Sequence, residues 1–168
     1  LDAAATEADV EIRHGHPAAH GCEPLLDELV LPMAAPALLQ RLPPLRTPAD
    51  LRHAPLLRTP LEPWAPWFAS AGLDWPEPSQ GTKLVDLGLT LEAAVSGQGV
   101  ALARPSLARH WLASGALRPL FGIGAPPAYR YYLLPHAAQG PAAAFAAWLR
   151  AECDEATQAA AALLSPAA

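Results

Sequence analysis

Apolar and polar positions along this chain follow two rhythms, and the rhythms alternate. Residues 9–13 (DVEIR) read in and out with period two, the signature of a half-buried strand. A polar loop, 14–21, follows. Residues 23–34 (EPLLDELVLPMA) read as one long extended segment. Pro32 has no amide hydrogen, so the second half of that segment belongs at a sheet edge or leaves the sheet. Pro36 opens a short helix over 37–41, as proline in a first turn can. Thr47-Pro48-Ala49-Asp50-Leu51 has the form of an N-cap and one helical turn. A short strand is expected over 55–58, and a helix over 64–71 closed by Gly72.

The centre is the most regular part. Residues 83–86 read as a strand. Leu87, Leu91, Ala94 and Val95 then fall at i, i+4, i+7 and i+8, one face of a helix that Gly97 stops. Residues 99–103 (GVALA) read as a buried strand, 105–113 as a helix ended by Gly115, and 117–121 and 129–134 as two more strands. The last helix starts near Pro141. Phe145, Trp148, Leu149 and Cys153 line one face of it, which predicts a core-facing stripe, and the Ala-rich tail 156–164 prolongs it. Strands alternating with helices predict an α/β protein.

Composition sharpens this picture. In 168 residues, 52% are hydrophobic and 16% charged, against a usual charged share of about 25%, so disorder driven by charge is excluded. Most of the 20 prolines sit singly between apolar runs, where they punctuate loops. Asn is absent and Lys83 is the sole lysine, a pattern expected of a GC-rich genome. The net charge of −5 argues against a DNA-backbone footprint on this chain itself. Two cysteines, Cys22 and Cys153, are too few for a disulfide scaffold. No apolar run approaches the ~20 residues of a membrane span, and Leu1-Asp2-Ala3 does not open a signal peptide, so a cytoplasmic protein without membrane partners is expected.

Catalytic motifs fail by position. Ser96 in Val95-Ser96-Gly97-Gln98-Gly99 does not make a nucleophile elbow, and Leu102 breaks the dinucleotide pattern after Gly97 and Gly99. Those glycines read as a helix stop and a tight turn into a strand. His14, His16, His20 and Cys22 offer imidazole and thiolate suited to zinc, but their H-x-H-x3-H-x-C spacing matches no standard zinc module. The expectation is a His-rich surface loop without metal. Adjacent carboxylates at Asp27/Glu28 and Asp154/Glu155 point to different sides and are expected to be solvated. Trp64 and Trp67, three apart on one short helix, read as packing residues. Cys153 reads as a small buried hydrophobe. No catalytic residue and no cofactor emerge.

An ordered set of segments nonetheless resembles one family. It comprises 9–15 (DVEIRHG), 23–28 (EPLLDE), 45–51 (LRTPADL), Trp64-x-x-Trp67 with Ala71-Gly72-Leu73, 91–102 (LEAAVSGQGVAL), 131–135 (YYLLP), and Phe145-x-x-Trp148-Leu149-x-x-Glu152. Together they resemble the effector-binding domain of LysR-type transcriptional regulators, in the branch containing the glycine-cleavage activator. The resemblance implies a two-lobe type 2 periplasmic-binding-protein-like fold with a small-molecule site in the cleft between two α/β lobes. Residues 1–27 plus 131–168 would form a first, incomplete lobe, and 28–130 the second. The expectation is of an N-terminally truncated chain. It lacks the DNA-binding helix-turn-helix and the first strand, helix and second strand of lobe one, so DNA would be reached only through a missing domain.

The implied role is effector sensing coupled to homo-oligomer geometry, with no catalysis. Candidate effector contacts are Arg58, Thr59 and Trp64 after the strand 55–58, Gly81 and Thr82 before the next strand, and His14 and Gly15 at the end of the lobe-one strand. Arg58 is suited to a bidentate grip on a carboxylate. Other readings are an exported solute-binding protein of the same fold, an enzyme or metal protein built on the histidine loop, and a truncated fragment without function.

Overall fold

The structure is a computed structural model that describes residues 8–16, 24–134 and 139–164. The chain divides into two compact units. One comprises Leu1–Asp27 and Tyr129–Ala156, the other Glu28–Ala128 and Thr157–Ala168.

In the first unit, β1 (Glu11–Gly15) pairs antiparallel with β5 (Arg130–Leu134), Ile12 opposite Leu133 and His14 opposite Tyr131. Leu25 N–H donates to the Tyr131 carbonyl at 2.7 Å, and Pro24 bridges Tyr132. Arg130 reaches the exposed Asp27 carboxylate at 3.4 Å. Helix α5 (Pro141–Leu164) contributes its residues up to Ala156. The stripe predicted to face a core does not do so. Phe145 and Trp148 are 44% and 54% exposed, their rings 5.4 Å apart, and Cys153 is half-buried. Burying a helix face takes an opposing layer, and the described sheet of this unit has two strands.

The second unit holds most of the core. Strand β2 (Leu31–Ala34) lies between β3 (Ala101–Ala103) and β4 (Arg118–Pro119), antiparallel to both. Two parallel bridges extend the pairing: Leu56 to Val100 and Arg58 to Lys83. Side chains alternate across this sheet. Val30, Ala34, Val100 and Leu102 join one apolar cluster with Trp64, Trp67 and Phe68. Leu31, Met33, Ala101 and Ala103 join another with Leu57, Leu91 and Ala94. A sheet covered on both faces needs continuous apolar strands, and all four residues of β2 are buried.

Pro32 thus stands in a central strand, which corrects the edge expectation. A residue's N and O point to the same side of a strand. The Pro32 carbonyl accepts from Leu120 N–H at 2.8 Å, so its donorless nitrogen also faces the β4 side, where β4 stops at Pro119. The ladder loses little there. The expected long segment 23–34 is in turn two bridges, at Pro24 and Val30, before β2 begins.

The helices of this unit are α1 (Pro36–Leu39), α2 (Trp64–Ser70), α3 (Leu87–Val95) and α4 (Pro105–Ala113), with a 3-10 helix at Pro48–His53. Two of them start at side-chain caps. Thr47 and Asp50 form a capping box, and hydrogen bonds from the Thr47 amide and hydroxyl and the Arg46 amide hold the Asp50 carboxyl below its ordinary range. Asp86 accepts from Leu89 N–H at 2.8 Å as the N-cap of α3. That capping role ends the expected strand 83–86 at its single bridge, Lys83. Gly97, at φ 72°, closes α3 where any side chain would be strained.

Candidate functional site

The candidate residues of the second unit are gathered by backbone pairing. Arg58 N–H donates to the Thr82 carbonyl at 2.9 Å, and Leu84 N–H donates to the Arg58 carbonyl at 2.8 Å. Segment 56–58 therefore runs beside 82–84, and beside 99–101 on its other side, where Leu57 N–H donates to Val100 O at 2.8 Å. Arg58, Gly81 and Thr82 come together at this edge. Gly81 and Thr82 are exposed. Gly81 sits at φ 102°, and a Cβ there would fall 2.3 Å from the Leu56 carbonyl oxygen, so only glycine fits. The Arg58 guanidinium is partly committed: Nη1 donates to the Ser79 carbonyl at 2.9 Å and the Gly81 carbonyl at 3.4 Å, and buried Nε has no partner among the described residues.

Thr59 and Trp64 lie beneath this edge. Thr59 is 4% exposed, and its hydroxyl accepts from Leu61 N–H in a local turn. Trp64 has no exposed surface. Its ring stacks on Phe68 at 5.6 Å and meets Trp67 edge-on at 5.9 Å, and its indole N–H donates to the Leu57 carbonyl at 2.8 Å. The packing expectation for Trp64 and Trp67 holds, and burial leaves Trp64 no surface to offer a ligand. His14 and Gly15 belong to the other unit, at the end of β1. The His14 ring lies 4.6 Å from that of Tyr131 and 5.7 Å from that of Tyr129.

Of the histidine loop, His20 and Cys22 lie outside the described residues. Among the described residues, no group of three or more His, Cys, Asp or Glu is placed to hold a metal.

A buried charged cluster escaped the sequence reading. Glu62 and Arg104 are 1% and 4% exposed, and Arg104 Nε and Nη2 both donate to Glu62 Oε1, at 2.6 and 2.5 Å. Burial pushes the Glu62 carboxyl above its ordinary value of 4.5, against the pull of Arg104. Glu28, expected to be solvated, is 8% exposed. It accepts from Ser106 N–H at 3.0 Å and Ser106 Oγ at 2.7 Å, which places its charge at the N-terminus of α4. The signal was Arg104-Pro105-Ser106 directly after a buried strand. An arginine there must find an anion, and a helix start favours one.

The family of LysR substrate binding domains matches residues 2–154. This chain belongs to that family. The LysR-type domain is 37% identical over 139 residues to an uncharacterised helix-turn-helix-type transcriptional regulator, y4mQ, of Sinorhizobium fredii. That match takes in 80% of the chain and 46% of the relative, so the chain spans about half the length of this curated relative. Among solved structures, the effector domain of the transcriptional regulator AmpR of Pseudomonas aeruginosa superposes with a TM-score of 0.72 at 30% identity, over 94% of this chain and 78% of that one. The AmpR effector-binding domain of Citrobacter freundii gives 0.70 at 28% identity, over 92% and 79%. The full-length virulence activator AphB of Vibrio cholerae, at 19% identity, shares the fold, with a TM-score of 0.65 over 87% and 52%. The LysR-type chain is thus an effector-binding domain with a two-lobe periplasmic-binding-protein-like α/β fold. No helix among its described residues is long and apolar enough to cross a membrane.

Proposed function

We propose that this domain senses a small-molecule effector for a LysR-type regulator and passes the signal to oligomer geometry and DNA binding elsewhere in the protein. The match to AmpR effector domains over more than nine-tenths of the chain carries this reading. The finer parts rest on the sequence: a place in the glycine-cleavage-activator branch, a first lobe of residues 1–27 plus 131–168, and a second of 28–130. Action in the cytoplasm, on DNA through a helix-turn-helix domain, is supported by the kinship with a regulator of that type. A role without catalysis is supported by kinship with a transcriptional regulator.

The effector contacts we assign in the second unit are Arg58, Gly81 and Thr82, supported from behind by the buried Thr59 and Trp64; in the first unit, taken by itself, they are His14 and Gly15. Ligands of open α/β sheets bind beyond the carboxyl ends of strands, where segment 56–58 ends. Binding shifts the domain's equilibrium only by its differential affinity for two states, so no catalytic group is needed.

A thermal-shift screen of the purified chain against a metabolite library tests this. At least one compound is expected to raise Tm, and Arg58→Ala is expected to lose at least half of that rise. No stabilising compound, or an undiminished rise in Arg58→Ala, contradicts the reading.

A further inference from the structure

The second unit has an open cavity that shares only Gly81 with the assigned effector contacts. Its volume is about 510 Å³, within the range of small-molecule sites. Leu51 of the 3-10 helix, Leu56 of the paired segment and Phe68 of α2 form one side. Trp75, Pro76 and Pro78 form the other. The half-buried ring of Trp75 meets that of the buried Phe68 edge-on at 5.3 Å.

The loop over this cavity is fastened at two points. Glu77 Oε2 accepts from Ala65 N–H at 2.9 Å, and Arg58 Nη1 holds the Ser79 and Gly81 carbonyls. Two prolines fix φ between Trp75 and Ser79 and lower the loop's freedom to collapse inward. The cavity is therefore preorganised, and a ligand entering it pays little ordering cost. The polar side chains that line it are those of Ser79, Gln80 and Arg52, whose Nε donates to the neighbouring His53 imidazole at 2.9 Å. No carboxylate lines it.

We infer that this cavity is a second ligand site, within one unit, for a neutral flat aromatic molecule of about ten to fifteen heavy atoms or fewer. The largely apolar lining favours a neutral occupant, and the lack of a lining carboxylate disfavours a cation, which would lose its hydration uncompensated. Contact with the half-buried ring of Trp75 favours an aromatic one.

Indole is the probe. Titrated into the whole chain with backbone amides followed by NMR, it is expected to give saturable shifts at Leu56, Phe68 and Trp75, with Kd on the order of 1 mM. Ala54→Trp, which adds a ring to the cavity wall, is expected to weaken that binding at least tenfold, and Ala54→Leu to weaken it less. Absence of saturable shifts in the wild type, or shifts confined to amides away from the cavity, overturns the inference whether or not the variants fold. Undiminished binding in a folded Ala54→Trp also overturns it. Effector binding at Arg58 and Thr82 stands or falls separately, because its readout is a different ligand and the Arg58→Ala variant, and Arg58 and Thr82 do not line this cavity.

Discussion

Glu62 shows what a buried charge costs and what holds it in place. Its carboxyl is pushed up by burial and pulled down by Arg104, and burial prevails. A folded-state value raised above 4.5 means the folded protein binds this proton more tightly than the unfolded chain does. The resulting stability is fully present below that ordinary value and is lost as pH rises through the raised one. Glu62→Gln cannot titrate and keeps a neutral group beside Arg104, as protonated Glu62 does, so it escapes the pH-dependent loss. Urea unfolding is expected to show wild type losing stability relative to the variant as pH rises from 4.5 toward neutrality. Wild type gaining stability relative to the variant over that range contradicts the assignment. At this scale the sequence was legible for apolar residues and poor for charged ones. Trp64 and Trp67 declare burial by type and spacing. Glu28 and Glu62 are buried only because Ser106 and Arg104, 78 and 42 residues away, satisfy them, and no local pattern records such partners.

Elements were legible wherever a local rule sets their ends. Helix α4 runs over the predicted 105–113 because Pro105 fixes its first turn and Gly115 follows its last. Helix α3 begins after Asp86, whose side chain caps it. Asp86→Ala is expected to cost about 1 kcal/mol of stability, measured by thermal or urea unfolding, because one orphan amide at the helix start loses its acceptor. An unchanged midpoint would mean that water replaces the cap at no cost. Strands were less legible, because pairing partners decide them. Residues 55–58 and 83–86 have apolar or extended character but form single bridges, and β4 is two residues of an expected five. The α5 stripe was read correctly as apolar and wrongly as buried. Periodicity tells which side chains share a face, and it is silent on whether another layer lies against that face.

On the scale of the molecule, the ordered family segments were the informative signal, and they reached the right fold where motif chemistry had nothing to offer. The candidate effector contacts were legible only through that resemblance, since turns such as Gly81-Thr82 carry no chemistry of their own. The core is distributed unequally. Both apolar clusters lie in the second unit, with sheet and helices packed on two faces, whereas the first unit's described sheet is one antiparallel pair. The second unit thus offers the rigid platform on which Arg58, Gly81 and Thr82 are held.

The most direct test of the account is hydrogen–deuterium exchange of the whole chain with and without the compound that stabilises it best in the thermal screen. Slowed exchange in peptides spanning 56–59 and 79–84 is the predicted result, with the strands of the second unit already slow in both samples. Exchange unchanged in those peptides while the ligand is bound, or slowed only in the first unit, would contradict an effector edge built on Arg58 and Thr82.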